Sequence, residues 1–85
     1  MIFYDKNYNR IYDNTKVILD GINNIIPNLN EIVECKTYYD YDNNKLVLTD
    51  KNFNNYEFNY DDNLCTLFSI DVIEDKEDLE DGGLI

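Results

Sequence analysis

Asn14-Thr15-Lys16-Val17-Ile18-Leu19-Asp20-Gly21-Ile22-Asn23-Asn24-Ile25-Ile26-Pro27-Asn28-Leu29-Asn30-Glu31-Ile32-Val33 is the stretch on which the fold turns. Ile18, Ile22, Ile25, Ile26, Leu29, Ile32 and Val33 recur three and four residues apart, the spacing that lines one face of an α-helix. Asn14 or Thr15 is placed to cap such a helix, with Asp20 as a later cap. Pro27 interrupts the stripe, because a proline lacks the backbone donor and clashes with the preceding turn, costing ~3 kcal/mol in a helix interior. The expected result is two short helices, over 15–26 and 28–34, with Pro27 opening the second. A competing reading takes Val17-Ile18-Leu19 as a strand and Asp20-Gly21 as a turn.

On either side the pattern is that of strands. Ile2-Phe3-Tyr4 and Arg10-Ile11-Tyr12 flank the turn formers Asp5-Lys6-Asn7-Tyr8-Asn9, which predicts an N-terminal hairpin. From Cys35 the period is two: Cys35, Thr37, Tyr39 and Tyr41 share one face, and Lys36, Tyr38, Asp40 and Asp42 the other. Strands follow over 45–49, 55–60 and 64–72, separated by Asp42-Asn43-Asn44, Asp50-Lys51-Asn52 and Asp61-Asp62-Asn63. Four strands on Asx-rich turns read as an antiparallel meander. The expectation is therefore an α+β fold: an antiparallel sheet, made of the N-terminal hairpin plus the four-stranded meander, with one broken helix or two short helices on one face. It occupies a single domain over 1–73. The acidic run at 74–85 is expected to be a frayed tail. Asp5-Lys6-Asn7-Tyr8-Asn9 is echoed by Asp50-Lys51-Asn52-Phe53-Asn54, which marks two hairpin loops of one kind.

Composition excludes several activities. Among 85 residues there is no histidine, which removes Ser–His and Cys–His catalysis and histidine metal ligands. Ser69 is the only serine, and it lies in a strand pattern with no Ser-x-x-Lys motif. Two cysteines, Cys35 and Cys65, show no metal-ligand spacing; their separation allows one bridge, and the favoured reading is two reduced thiols of a cytoplasmic protein. Asp5-x-Asn7-x-Asn9, Asp40-x-Asp42-x-Asn44 and Asp50-x-Asn52-x-Asn54 open like calcium loops, but none has the sixth-position glycine and twelfth-position glutamate. No glycine-rich phosphate loop is present. Neither an enzyme nor a cofactor is expected.

The N-terminal residues lack a signal-peptide pattern, and no apolar run reaches the ~20 residues of a membrane span. Hydrophobic residues at 44% and aromatics at 14% argue for a folded chain. The chain is rich in residues with AT-rich codons, which points to a low-GC bacterium or its phage.

Charge is the remaining signal. The formal net charge is −11, which disfavours nucleic-acid and anionic-membrane binding. It exceeds the magnitude of about 2–8 that solubility asks of a small domain. Residues 34–85 hold fourteen of the eighteen acids. The candidate partner-binding surface is Asp40, Asp42, Asp50, Glu57, Asp61, Asp62 and Asp71, extended by Glu74, Asp75, Glu77 and Asp78 in the tail. Tyr38, Tyr39 and Tyr41 are candidate aromatic contacts, since tyrosine is enriched at interfaces. Carboxylates spaced on a sheet face approximate the phosphate spacing of one DNA strand.

In composition and layout over the whole chain, this sequence resembles the small acidic inhibitors made by phages and mobile elements. It looks like the DNA-mimicking anti-CRISPR proteins of low-GC bacteria. No motif is shared, so no residue role transfers. The resemblance implies stoichiometric inhibition, with the protein occupying the basic nucleic-acid-binding groove of a CRISPR effector nuclease in the bacterial cytoplasm. Two alternatives stand beside it. One is an immunity protein or antitoxin against a basic nuclease toxin; the other is a phage accessory protein with a protein partner and no mimicry.

Overall fold

The computed structural model describes residues 1–73, and these form seven strands and no helix. They are β1 (Phe3–Tyr4), β2 (Arg10–Ile11), β3 (Lys16–Asp20), β4 (Ile32–Asp40), β5 (Lys45–Asp50), β6 (Asn55–Asn59) and β7 (Ile70–Val72). The expected α+β class is thus corrected to an all-strand fold. The tail acids Glu74, Asp75, Glu77 and Asp78 lie outside the described residues.

The correction falls on the isoleucine-rich stretch. Val17 and Leu19 are fully buried and Ile18 faces the other way, a period of two. The strand-and-turn reading of 17–21 is the one the backbone follows. Asp20 ends β3, and its carboxylate accepts the N–H groups of Ile22 (2.9 Å) and Asn23 (3.1 Å). That satisfies the backbone as a turn rather than as a helix start. Pro27 and Asn28 form the centre of a tight turn closed by Leu29 N–H to the Ile26 carbonyl (3.1 Å). Asn28 takes φ 65°, the left-handed value a type II turn needs after proline. The periodic stripe does not share a face: Leu29 is buried, whereas Ile25 is 101% and Ile22 63% exposed. Gly21 is required here, because a Cβ would meet Leu29 Cγ at 2.5 Å and the Glu31 carbonyl at 2.9 Å. The long pairing of β3 with β4, from Lys16↔Lys36 to Asp20↔Ile32, outweighs the local helical spacing.

Strands β3 to β7 form one antiparallel sheet in the order β6-β5-β4-β3-β7, and β1 and β2 form the expected hairpin. Strands β4, β5 and β6 make the expected meander. The fourth expected strand, 64–72, does not continue it. Only Ile70–Val72 is a strand, and it pairs with β3 at the opposite edge. The alternation read over 64–72 fails at its start, where Leu64 and Phe68 are exposed.

One sheet face carries the core: Val17, Leu19, Cys35, Tyr39, Leu46, Leu48, Tyr56 and Ile70 are buried. The β1–β2 hairpin covers it with Phe3 and Ile11, both fully buried. Two β4 side chains attach that cover. The Tyr39 hydroxyl donates to the Ile11 carbonyl and accepts the Phe3 N–H (3.3 Å). The Thr37 hydroxyl donates to the Tyr12 carbonyl (2.6 Å) and accepts the Thr15 N–H (2.9 Å). The other sheet face, with Lys16, Glu34, Lys36, Tyr38 and Glu57, is open to solvent. Cys35 and Cys65 are free thiols.

Candidate functional site

Three of the predicted acids are drawn into the fold rather than presented as free charges. Asp50 is buried, and its carboxylate accepts Asn52 N–H (2.9 Å), Asn54 N–H (3.0 Å), Asn54 Nδ2 (3.1 Å) and the Tyr56 hydroxyl (3.0 Å). Burial opposes its ionisation, but these donors outweigh burial and hold the carboxyl below the usual carboxylate range. The same bond and the burial of Tyr56 push that phenol up. Glu57 faces outward and pairs with Lys45, whose ammonium is stabilised by that bond. Asp71 sits on edge strand β7 with Lys6 at 3.7 Å.

The remaining predicted acids converge at one end of the sheet. Asp40 closes β4, and its carboxylate accepts Asn43 Nδ2 (2.9 Å) and Asn43 N–H (3.2 Å), which lower its pKa. Asn44 takes φ 52° in the same turn, a left-handed value asparagine tolerates. Tyr60 N–H donates to the Asn44 carbonyl (2.9 Å), extending the β5–β6 ladder beyond Lys45↔Asn59. That bond brings Asp61 and Asp62 beside the turn that holds Asp42. Asp42, Asp61 and Asp62 are all exposed, and none has an ion pair among the described residues. Asp61 caps Asn63 N–H (2.9 Å). A hydrogen bond to Asp62, with burial, pushes the Tyr60 phenol up.

The three tyrosines separate. Tyr41 is 67% exposed within the acidic turn and stacks on Tyr39, with ring centroids 5.8 Å apart. Tyr39 is buried and structural; burial raises its phenol pKa. Tyr38 stands on the open face, across from Val47 and one same-face position before Asp40. The candidate residues left at this end of the sheet are therefore Asp40, Asp42, Asp61, Asp62 and Tyr41, with Lys45 the cross-strand partner of Asp40.

Sequence reasoning missed two things. Asp5, Asp13 and Asp20 also accept backbone N–H groups, so much of the acidic composition serves turns. The repeated Asp-Lys-Asn-aromatic-Asn loop was the available signal for Asp5. Lys16, Lys36 and Lys45 stand among the acids on the open face, and only strand register reveals that. Among the described residues no group of three metal-ligating side chains comes together. No helix there is long and apolar enough to cross a membrane. Comparison with protein families, with curated proteins and with solved structures finds no match. The site is read from its own chemistry.

Proposed function

We propose that this protein is a stoichiometric inhibitor that binds a basic, nucleic-acid-binding surface of a protein partner. The target class is a CRISPR effector nuclease, and the setting is the bacterial cytoplasm. What supports the reading is that Asp42, Asp61 and Asp62 stand exposed and without an ion pair among the described residues at the end of the sheet where the Tyr60–Asn44 bond joins their two turns, with exposed Tyr41 beside Asp42 in the chain. Exposed carboxylates accept the bidentate bonds that arginine otherwise gives to phosphate. An exposed tyrosine adds contact area at small entropic cost. The open sheet face is the weaker candidate for mimicry, because Lys16, Lys36 and Lys45 interrupt its acids.

The test is a triple reversal, Asp42→Lys, Asp61→Lys and Asp62→Lys, assayed against a guide-loaded CRISPR effector by DNA cleavage. Loss of inhibition by at least about 100-fold is expected, with the circular-dichroism spectrum unchanged. Inhibition that survives the reversal overturns the assignment of this surface. No inhibition by the wild-type chain of any effector tested overturns the target class.

A further inference from the structure

The five-stranded sheet has two edges, β7 and β6, and the fold treats them differently. On β7 the outward backbone groups are already engaged. Val72 N–H donates to Asp5 (2.9 Å), Lys6 N–H donates to the Ile70 carbonyl (2.9 Å), and Ile70 N–H donates to the Leu67 carbonyl (3.1 Å). On β6 they are not. Asp50 N–H bonds the Asn54 carbonyl and Tyr60 N–H the Asn44 carbonyl, so the hydrogen-bonded pairs between them are Leu48↔Tyr56 and Leu46↔Phe58. The N–H and C=O groups of Asn55, Glu57 and Asn59 therefore point away from β5, and none has a hydrogen-bond partner among the described residues. Nor does β6 carry the usual guards of an edge: it has no proline, no lysine and no bulge in its register.

A groove of about 460 Å³ lies beside this open edge, between the turn at 25–28 and β6. Ile25, Ile26 and Pro27 line one wall, and Tyr56 and Phe58 the other. Ile25 is fully exposed there. On the opposite face Glu57 gives Oε1 to Lys45, and its side chain stays half exposed. Past Asn59 the chain runs through Tyr60 into the exposed Asp61 and Asp62. We propose that β6 binds an extended segment of a protein partner as a further antiparallel strand, one in which basic residues alternate with apolar ones. Its backbone pairs with Asn55, Glu57 and Asn59. Its apolar side chains point to the core side and enter the groove, while its lysine or arginine side chains meet Glu57 and, two residues on, the Asp61–Asp62 end. A second copy is the poorer occupant. It brings another −11 of charge, and the symmetric register sets Glu57 directly against Glu57. An edge of five residues, ~17 Å long and ~10 Å thick, also offers only roughly 170 Å² per copy, against ~800 Å² in a stable interface.

The probe is a short capped peptide of alternating valine and lysine, titrated into the full chain, isotopically labelled. In the free protein the amides of Asn55, Glu57 and Asn59 should exchange fast, and those of Tyr56 and Phe58 slowly. Saturating peptide should slow the first three at least about ten-fold, with nuclear Overhauser contacts from its valine methyls to Ile25 and Phe58. Glu57→Pro takes away an outward N–H that the β5–β6 ladder does not use, and should weaken binding at least about ten-fold. Glu57→Lys keeps that N–H and should turn the preference towards a valine–glutamate peptide, which decides the matter if the proline variant does not fold. No binding, or shifts confined to Asp42, Asp61 and Asp62 while the three amides stay fast, overturns the proposal. So does a free chain that sediments as a dimer with those amides already protected, since the occupant is then a second copy. No effector takes part, so this outcome is separate from that of the inhibition assay.

Discussion

Asp5 and Asp50 hold two copies of one loop in the same way. Each carboxylate accepts the N–H groups two and four residues on: Asn7 and Asn9 for Asp5 at 2.9 and 2.8 Å, Asn52 and Asn54 for Asp50 at 2.9 and 3.0 Å. Each loop closes with a bond from the fourth residue's N–H to the Asp carbonyl, 3.0 Å in both. Tyr8 and Phe53 occupy that fourth position at φ 64° and 65°. This is a three-residue hairpin loop ending in a left-handed residue. Only the last partner differs. Asp5 reaches Val72 N–H on the edge strand (2.9 Å), and Asp50 reaches the Tyr56 hydroxyl (3.0 Å).

Removing Asp5 therefore loosens a loop and a strand together. Asp5→Ala should cost about 3 kcal/mol, because three part-buried N–H groups lose a charged, buried acceptor. Urea denaturation reads this, and hydrogen exchange should show Val72 exposed to solvent first. A loss under about 1 kcal/mol would mean that water replaces the carboxylate.

Acid should weaken the fold through the same kind of group. Asp50, Asp20 and Asp40 have folded pKa values below their unfolded ones. Their contribution is complete above the ordinary carboxylate range and is lost as pH falls through the depressed values. Urea midpoints measured from about pH 5 to pH 2 should fall, and Asp50→Asn should flatten that limb. An unchanged limb in the variant would remove Asp50 from the account.

The Tyr39 hydroxyl is the attachment of the hairpin cover to the sheet. Tyr39→Phe leaves the Ile11 carbonyl and the Phe3 N–H without that partner. The expected loss is about 1–3 kcal/mol with little change in packing. Tyr41→Phe, whose ring is exposed, is the comparison and should stay within about 0.5 kcal/mol.

The two thiols should react differently. Burial, with Asp50 and Glu34 nearby, pushes Cys35 up to about 12, whereas Cys65 is partly exposed. A thiol reagent at about pH 8 should label one cysteine per folded chain and two in urea. A raised folded pKa contributes stability that is complete below the unfolded thiol value and is lost as pH rises towards 12. Rapid labelling of Cys35 in the native protein would show that β4 opens readily.

Much of the strand pattern was legible because its signal is local. Cys35, Thr37 and Tyr39 alternate with Lys36, Tyr38 and Asp40, and the structure keeps that division of faces. The Asx-rich turns announced themselves because Asp and Asn bond their own backbone. The 14–33 stretch misled because isoleucine spacing at three and four is ambiguous when strands and turns are short. Val17 to Leu19 is a strand there only because β4 and β7 lie on either side. The candidate acids were legible as composition, but not their separation into buried Asp50, paired Glu57 and free Asp42.

By itself the sequence determined the loops, the β4–β5–β6 meander, the absence of histidine chemistry and the negative charge. These depend on residue identity and on neighbours a few positions away. Only the tertiary structure decided that residues 14–33 hold no helix, that Ile70–Val72 closes the far edge, and that Lys16 faces Lys36. Those outcomes depend on which distant strands share hydrogen bonds. The register that sets them is fixed by burying one whole face at once.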